Sequence, residues 1–196
     1  MRPQQPRYVS PSAGHVRIIG GHWRGTRLPV PDMPGLRPTP DRVRETLFNW
    51  LQTALPGAAV LDLFAGSGAL GLEAVSRGAA WAVLVEQSPI LARNLRASVA
   101  RLAASDRVQV IEGNARRWLE DSAGDAPFDI AFVDPPFADD LWADVVPVLS
   151  QRLNASGWLY LESPADRDVA PPPGWTPHRW GQTRETRFAL YRGPGG

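Results

Sequence analysis

A parallel α/β sheet wrapped by crossover helices is the fold class this sequence predicts, on three observations. From Ala58 to Glu162 short apolar runs alternate with stretches of helical periodicity, the pattern of strands joined by helices that cover both faces of one sheet. The first apolar run leads into a glycine-rich turn, Asp62-Leu63-Phe64-Ala65-Gly66-Ser67-Gly68-Ala69-Leu70-Gly71, and then into helix. A later run, Phe128 to Val133, delivers Asp134-Pro135-Pro136-Phe137. Ligands of parallel sheets bind beyond the carboxyl ends of the strands. Both turns are therefore expected on one functional rim.

The elements follow from the punctuation. Residues 1–14, with Pro3, Pro6, Ser10, Pro11, Ser12 and Gly14, read as a weakly held tail. Residues 15–30 read as a β-hairpin turning near Gly20 to Gly25, and a proline-rich connection covers 29–40. Val43, Leu47, Trp50 and Leu51 recur at helical spacing, so 41–55 is expected to be an amphipathic helix that stops before Pro56-Gly57. Strands are then predicted at 58–63, 81–86, 107–111, 128–133 and 157–162, with helices at 68–77, 88–103, 115–120 and 139–153 between them. After Pro171-Pro172-Pro173-Gly174, residues 175–183 and 185–191 form a closing antiparallel pair. The chain thus divides into a tail (1–14), a hairpin-and-helix extension (15–55) and an α/β domain (56–196).

Gly66, Gly68 and Gly71 spell G-x-G-x-x-G, which fits a dinucleotide as well as other adenosine ligands. Glycine accepts positive φ and lets a ligand lie against bare backbone at a helix N-terminus. Asp62 separates the two possibilities, because a carboxylate beside the turn repels a pyrophosphate and attracts an ammonium or a sulfonium. S-adenosylmethionine carries both. Glu86 and Gln87, at the end of the second strand, stand where ribose hydroxyls are received and serve either cofactor. No Gly-Lys-Ser/Thr follows the glycines and the chain has no lysine, so a P-loop is excluded. Cofactor binding is assigned to Asp62, Phe64, Ala65, Gly66, Ser67, Gly68, Glu86 and Gln87, with Phe64 shaping the wall.

The prolines of the second loop lack an N–H and fix φ, so the loop is stiff and its carbonyls are free to accept hydrogen bonds. Phe137 adds a flat face. Acceptors beside a stacking surface suit a planar group with an exocyclic amine, such as a nucleobase held outside its helix. Adenine N6 and guanine N2 both satisfy that description.

Taken together the motifs are more specific than any one of them. Arg17-Ile18-Ile19-Gly20-Gly21, Trp23-Arg24-Gly25 and Arg37-Pro38-Thr39-Pro40-Asp41-Arg42-Val43-Arg44-Glu45-Thr46-Leu47-Phe48-Asn49-Trp50-Leu51, followed by residues 61–78 and the Asp134 loop, resemble the RsmD family of ribosomal RNA methyltransferases from about residue 16 to 191. The resemblance implies a Rossmann-like, seven-stranded class I methyltransferase sheet whose last strand is antiparallel. It implies methyl transfer from S-adenosylmethionine to the N2 amine of one guanine in small-subunit (16S) ribosomal RNA, within an assembling or assembled subunit. Asp134, Pro135, Pro136 and Phe137 are carried over as the catalytic loop. The Asp134 carboxylate and the Pro135 carbonyl accept from the amine and aim its lone pair, while Phe137 stacks on the base. Arg37, Thr39 and Arg42 match the Arg-Pro-Thr segment and are implied to close over the methionine end of the cofactor. Where the family presents Gly-Asp-Ala after the third strand, this chain has Gly113-Asn114-Ala115, so Asn114 and Ala115 are expected at the adenine with a neutral carbonyl acceptor.

Composition bounds the rest. An apolar content of 43% in 196 residues suits a globular domain with a real core. The absence of cysteine removes disulfides and thiolate metal sites and fits a cytoplasmic location. His15, His22 and His178 show no ligand spacing, so no metal is expected. No apolar stretch approaches the ~20 residues of a spanning helix, and no signal peptide is visible.

The net charge of +1 conceals an asymmetry: residues 1–50 hold eight arginines against three acids, a balance of +5, which leaves −4 for the remainder. RNA contact is therefore assigned to Arg17, His22, Trp23, Arg24 and Arg27, which mix guanidinium groups with aromatic rings. The competing classes are an N6-adenine DNA methyltransferase, a nucleotide-dependent oxidoreductase on the same glycine turn, and a non-catalytic RNA-binding module.

Overall fold

Residues 12–32, 39–121 and 127–196 are described by the computed structural model. The chain opens with an antiparallel hairpin, β1 (Ser12–Arg17) and β2 (Arg27–Pro31), followed by helix α1 (Asp41–Trp50). Then come β3 (Ala59–Asp62), α2 (Ala69–Ser76), β4 (Trp81–Glu86), α3 (Pro89–Arg101), β5 (Val108–Glu112), α4 (Ala115–Asp121), β6 (Phe128–Val133), α5 (Trp142–Leu149), β7 (Leu153–Pro164), β8 (Thr176–Gln182) and β9 (Thr186–Arg192). The expected alternation is present throughout.

Strands β3 to β9 form one seven-stranded sheet in the order β5-β4-β3-β6-β7-β9-β8. Neighbours from β5 to β7 are parallel, and β9 runs antiparallel to both β7 and β8. The chain reverses its strand order on either side of β3, so the ends of β3, β4 and β6 meet at a switch point where ligands bind.

Two apolar layers sandwich the sheet. One holds Leu61, Val83, Val133, Leu159 and Ala189 with Leu119 of α4 and Trp142 and Val145 of α5. The other holds Val60, Leu84, Phe132, Tyr160 and Phe188 with α2 and α3, and it also takes in Val16, Ile18 and Leu28 of the hairpin and Val43, Leu47 and Phe48 of α1. The hairpin and α1 therefore share one core with the sheet.

Several boundaries differ from expectation. β1 begins at Ser12 and pairs it with Pro31, so part of the expected tail belongs to the hairpin, while residues 1–11 lie outside the described residues. α1 ends at Trp50, because Leu51 has left helical geometry (φ −90°, ψ 1°). α5 begins only at Trp142: a 3-10 turn at Phe137–Asp139 and a left-handed Asp140 (φ 49°) precede it. β7 is longer than the strand expected at 157–162 because it pairs with Leu153 against Phe128 and continues along β9 to Pro164. Among the described residues no helix is long and apolar enough to cross a membrane.

Candidate active site

The glycine turn after β3 is shaped by what a side chain would strike. Gly66 and Gly68 have positive φ (53° and 80°), and a Cβ on Gly68 would lie 2.7 Å from Leu95 Cδ2. At Gly71 a Cβ would approach Leu84 Cδ1 to 2.8 Å and Asp62 Oδ2 to 3.1 Å. That close approach lets the Gly71 N–H donate to Asp62 Oδ2 at 2.9 Å. Burial lifts the Asp62 carboxyl to about 7, with the Gly71 bond opposing and the charges of Asp134 and Glu86 adding to the rise. A carboxyl raised by burial beside other acids gains most from an incoming cation, which is the chemistry of an ammonium or a sulfonium.

Glu86 at the tip of β4 is tied into the same turn. Its Oε2 accepts from Gly66 N at 2.8 Å and its Oε1 from Ser88 N at 2.7 Å. Each oxygen keeps a second lone pair for a ribose hydroxyl. Ala65, Ser67 and Ala115 are buried in the walls, Phe64 is half-buried and Gln87 is exposed. Asn114 is the N-cap of α4, its Oδ1 accepting from Arg117 N at 3.0 Å. The carbonyl expected to serve adenine caps the helix with one lone pair and keeps the other, beside the two donors of Nδ2.

The second loop stands beside the first. Asp134 follows the last residue of β6, and Thr39 Oγ1 donates to its Oδ2 at 2.8 Å. Thr39 thus grips the acid at the head of the loop, beside the site where the cofactor's methionine end was expected. Arg42 is exposed on the first turn of α1, and Arg37 lies outside the described residues. Burial raises Asp134 to about 6 against the lowering effect of the Thr39 bond. Pro135 is buried and Pro136 exposed. Among the described residues Pro136 O accepts from Asp139 N at 3.2 Å while Pro135 O accepts nothing, so the Pro135 carbonyl is the free acceptor of the pair. Phe137 is 38% exposed and leans on Trp142 at 5.9 Å between ring centroids.

Two residues that the sequence reading passed over complete the site. Glu162 on β7 is buried, and the buried Tyr160 hydroxyl donates to its Oε2 at 2.7 Å. Its own backbone carbonyl accepts from Trp142 Nε1 at 2.8 Å. Burial, with the Asp134 charge adding, raises Glu162 to about 9. The available signal was a lone acid in the apolar run Leu159-Tyr160-Leu161-Glu162, with Tyr160 two residues earlier on the same face of the strand.

The hairpin reaches the site indirectly. Glu73 of α2 is buried and accepts from Ile19 N and Gly20 N, each at 2.7 Å, and from Arg77 Nε at 2.6 Å. Arg44 of α1, also buried, lies 3.6 Å from the same carboxylate and donates to Arg17 O at 2.9 Å and to Thr39 O at 3.2 Å. The hairpin, α1 and Thr39 are thereby fixed to α2.

His22 N and Trp23 N bond to Ser76 at the C-terminal end of α2. A helix of eight residues is about 12 Å long, which separates this turn from the glycine loop at the other end. Trp23 is buried beneath the Arg107 guanidinium, 5.3 Å above its ring, so its expected stacking on RNA is corrected to a core role. His22, Arg24 and Arg27 are exposed. Arg17, 3.6 Å from Asp41, stands by the start of α1, two residues from Thr39.

With this geometry in place, the comparisons with known proteins are decisive for ancestry. The family model described as "Conserved hypothetical protein 95" matches residues 16–192. The chain belongs to this family. Similar to this member of Conserved hypothetical protein 95 is Ribosomal RNA small subunit methyltransferase D of Escherichia coli (strain K12), 44% identical over 187 residues that cover 92% of this chain and 91% of that protein. The protein of the same name from Haemophilus influenzae is 37% identical over 182 residues, 91% of this chain and 94% of its own. A solved structure described as putative methyltransferase yhhF from Escherichia coli matches with a TM-score of 0.84 at 40% identity, over 93% of this chain and 100% of that one. The family resemblance legible in the sequence is thus established, as is the seven-stranded methyltransferase sheet with β9 antiparallel.

Proposed function

We propose that this protein transfers a methyl group from S-adenosylmethionine to the N2 amine of a guanine in small-subunit (16S) ribosomal RNA. The observation that carries the proposal is Asp134, held by Thr39 at the end of β6 beside a free Pro135 carbonyl and the exposed Phe137 ring. The names of the relatives support an RNA of the small ribosomal subunit as the substrate. When bound, S-adenosylmethionine supplies a methyl carbon made electrophilic by its sulfonium.

The chain's own residues provide the rest. Asp62 and the bare backbone of Gly66 and Gly68 receive the cationic end, Glu86 the ribose, and Asn114 with Ala115 border the adenine. Guanine N2 is a poor nucleophile, because its lone pair is delocalised into the ring. Asp134 and the Pro135 carbonyl accept from its two N–H groups, which draws the nitrogen toward pyramidal geometry and aims the lone pair. Phe137 holds the base by stacking. Asp134 then takes the proton that the methylated nitrogen must lose.

The direct test incubates the protein with methyl-labelled cofactor and unmodified small-subunit RNA, free or in subunits, and digests the product for nucleoside mass spectrometry. Label in N2-methylguanosine is expected; no label in the RNA, with label in N6-methyladenosine when duplex DNA is supplied in a parallel reaction, would overturn the proposal. Glu86→Ala is expected to weaken S-adenosylmethionine binding by ~1 to 3 kcal/mol, since a charged acceptor is lost and Gly66 N is left unpaired. Calorimetry showing unchanged affinity would remove Glu86 from the cofactor site.

A salt titration tests the RNA face. Replacing Arg17, Arg24 and Arg27 together by Gln is expected to flatten log affinity against log salt by about two to three units. A change of about one unit, reproduced by Arg17→Gln alone, would confine the RNA to the end of the hairpin near Thr39. An unaltered slope would place the phosphates elsewhere.

A further inference from the structure

A row of paired residues crosses the sheet at the level of the catalytic loop. Val133, which precedes Asp134, stands opposite Leu161 of β7; Leu161 stands opposite Ala189 of β9, and Ala189 opposite Trp180 of β8. Residues opposite one another project from the same face of a sheet. Val133, Leu161 and Ala189 share the apolar layer with Trp142 of α5, so Trp180 carries that face out to the sheet edge. Three strand spacings of ~4.8 Å place it roughly 14 Å from the strand end that bears Asp134.

Among the described residues Trp180 is the most exposed large apolar side chain, at 60%. β8 is the edge strand, and all of it except Gly181 is exposed. The indole is nevertheless held in place. The Arg187 guanidinium lies over the ring, 5.3 Å from its centroid, and Asp168 pairs with Arg187 at 3.4 Å. One face of the ring is thus covered by a cation, and the opposite face is open to water.

The turn after β7 joins this ring to the catalytic loop. Its Ala165 N donates to Glu185 O at 3.0 Å, and Ala165 O accepts from Gln182 Nε2 at 3.3 Å. Its Arg167 pairs with Asp140 and stacks over Trp142 at 4.8 Å, the ring on which Phe137 leans. Phe137 and Trp180 are therefore two exposed rings on one rim, fixed to a common turn. Residues 165–187 hold four arginines against three acids, a near balance that offers phosphates little net attraction. What the surface presents is a pre-oriented aromatic face backed by a guanidinium, the combination that stacks unpaired bases.

We propose that Trp180 is a stacking platform for a second unpaired base of the same RNA, a few nucleotides from the guanine held at Phe137. This rests on the methyltransferase reading above. Drawing one base out of its helix costs stacking, and a second ring on the same rim returns part of that cost while keeping the strand aligned with Asp134. Every base has a π-face, so the platform accepts any of them. Arg187 is the positioning residue that holds the indole.

The test measures binding and methylation of unmodified small-subunit RNA by the full chain carrying Trp180→Ala or Trp180→Phe. The ring is exposed, so neither change opens the core. Trp180→Ala is expected to weaken RNA affinity and raise RNA KM about tenfold, with the loss in KM rather than in turnover at saturating RNA and with cofactor affinity as in the native protein. Trp180→Phe keeps a flat face and should return to within about threefold of native. The slope of log affinity against log salt should not move in either variant, because no phosphate contact is lost.

Native KM and affinity in Trp180→Ala, with methylation proceeding, would overturn the platform and leave the methyltransferase reading standing. A phenylalanine variant as weak as the alanine one, or a loss accompanied by a lower salt slope, would show that stacking is not the contact and overturn it too. So would a native dimer that Trp180→Ala converts to monomer with unchanged RNA affinity, since the edge would then serve a second copy of the chain. If the native protein methylates no RNA but Trp180→Ala binds it about tenfold more weakly and Trp180→Phe restores binding, the platform stands and the methyltransferase reading fails.

Discussion

Asp134→Ala is expected to slow single-turnover methylation by ~100-fold or more, about 2.7 kcal/mol of transition-state stabilisation, with S-adenosylmethionine affinity close to native. The separation follows from the proposed mechanism, in which the Asp134 carboxylate meets the amine, where charge develops during transfer, while the Gly66 to Gly71 turn and Glu86 receive the cofactor. The same acid sets the pH dependence. Burial raises Asp134 to about 6, so the carboxylate that accepts from the amine is present above that value and is lost as pH falls through it. The native rate should therefore decline on the acid side near pH 6. A rate within about threefold of native in Asp134→Ala would remove Asp134 from the chemistry.

Glu73→Ala is the substitution expected to cost the most stability, about 3 to 5 kcal/mol. It removes the acceptor of Ile19 N, Gly20 N and Arg77 Nε in one step and leaves the Arg44 guanidinium, 0% exposed, with the half-exposed Asp41, 2.6 Å away, as its remaining counter-charge among the described residues. Arg44 Nη1 already forms no hydrogen bond and depends on Glu73 at 3.6 Å. Urea denaturation read through tryptophan fluorescence measures the loss; a change under about 1 kcal/mol would show that water readily replaces the carboxylate. Because Arg44 also holds Thr39 O, the folded remainder should methylate more slowly than its cofactor affinity alone would indicate.

Most of the sheet was legible because its strands are apolar runs bounded by glycine and proline, and burial on both faces leaves such runs few alternatives. β4 and β6 fall at the expected residues, and Asp62, Glu86 and Asp134 stand at the strand ends where the alternation placed them. Less legible were groups whose roles depend on partners far away in sequence. Thr39 and Asp134 are 95 residues apart, and Ile19 and Glu73 are 54 apart. Trp23 looked available for stacking because its neighbours are basic, yet Arg107 packs on it from the start of another strand. Local spacing carries no information on such encounters.

The sequence by itself determined the parallel sheet, the glycine turn that needs positive φ at Gly66 and Gly68, and the stiff Asp134-Pro135-Pro136-Phe137 loop, since each follows from backbone sterics and apolar periodicity over a few residues. Tertiary structure alone decided that Thr39 bonds to Asp134, that the Tyr160 hydroxyl is paired with Glu162, and that the turn at His22 to Arg24 sits at the far end of α2. The physical reason is common to all three. A buried polar group must find its hydrogen-bond partner wherever packing places one, and packing is a property of the assembled core.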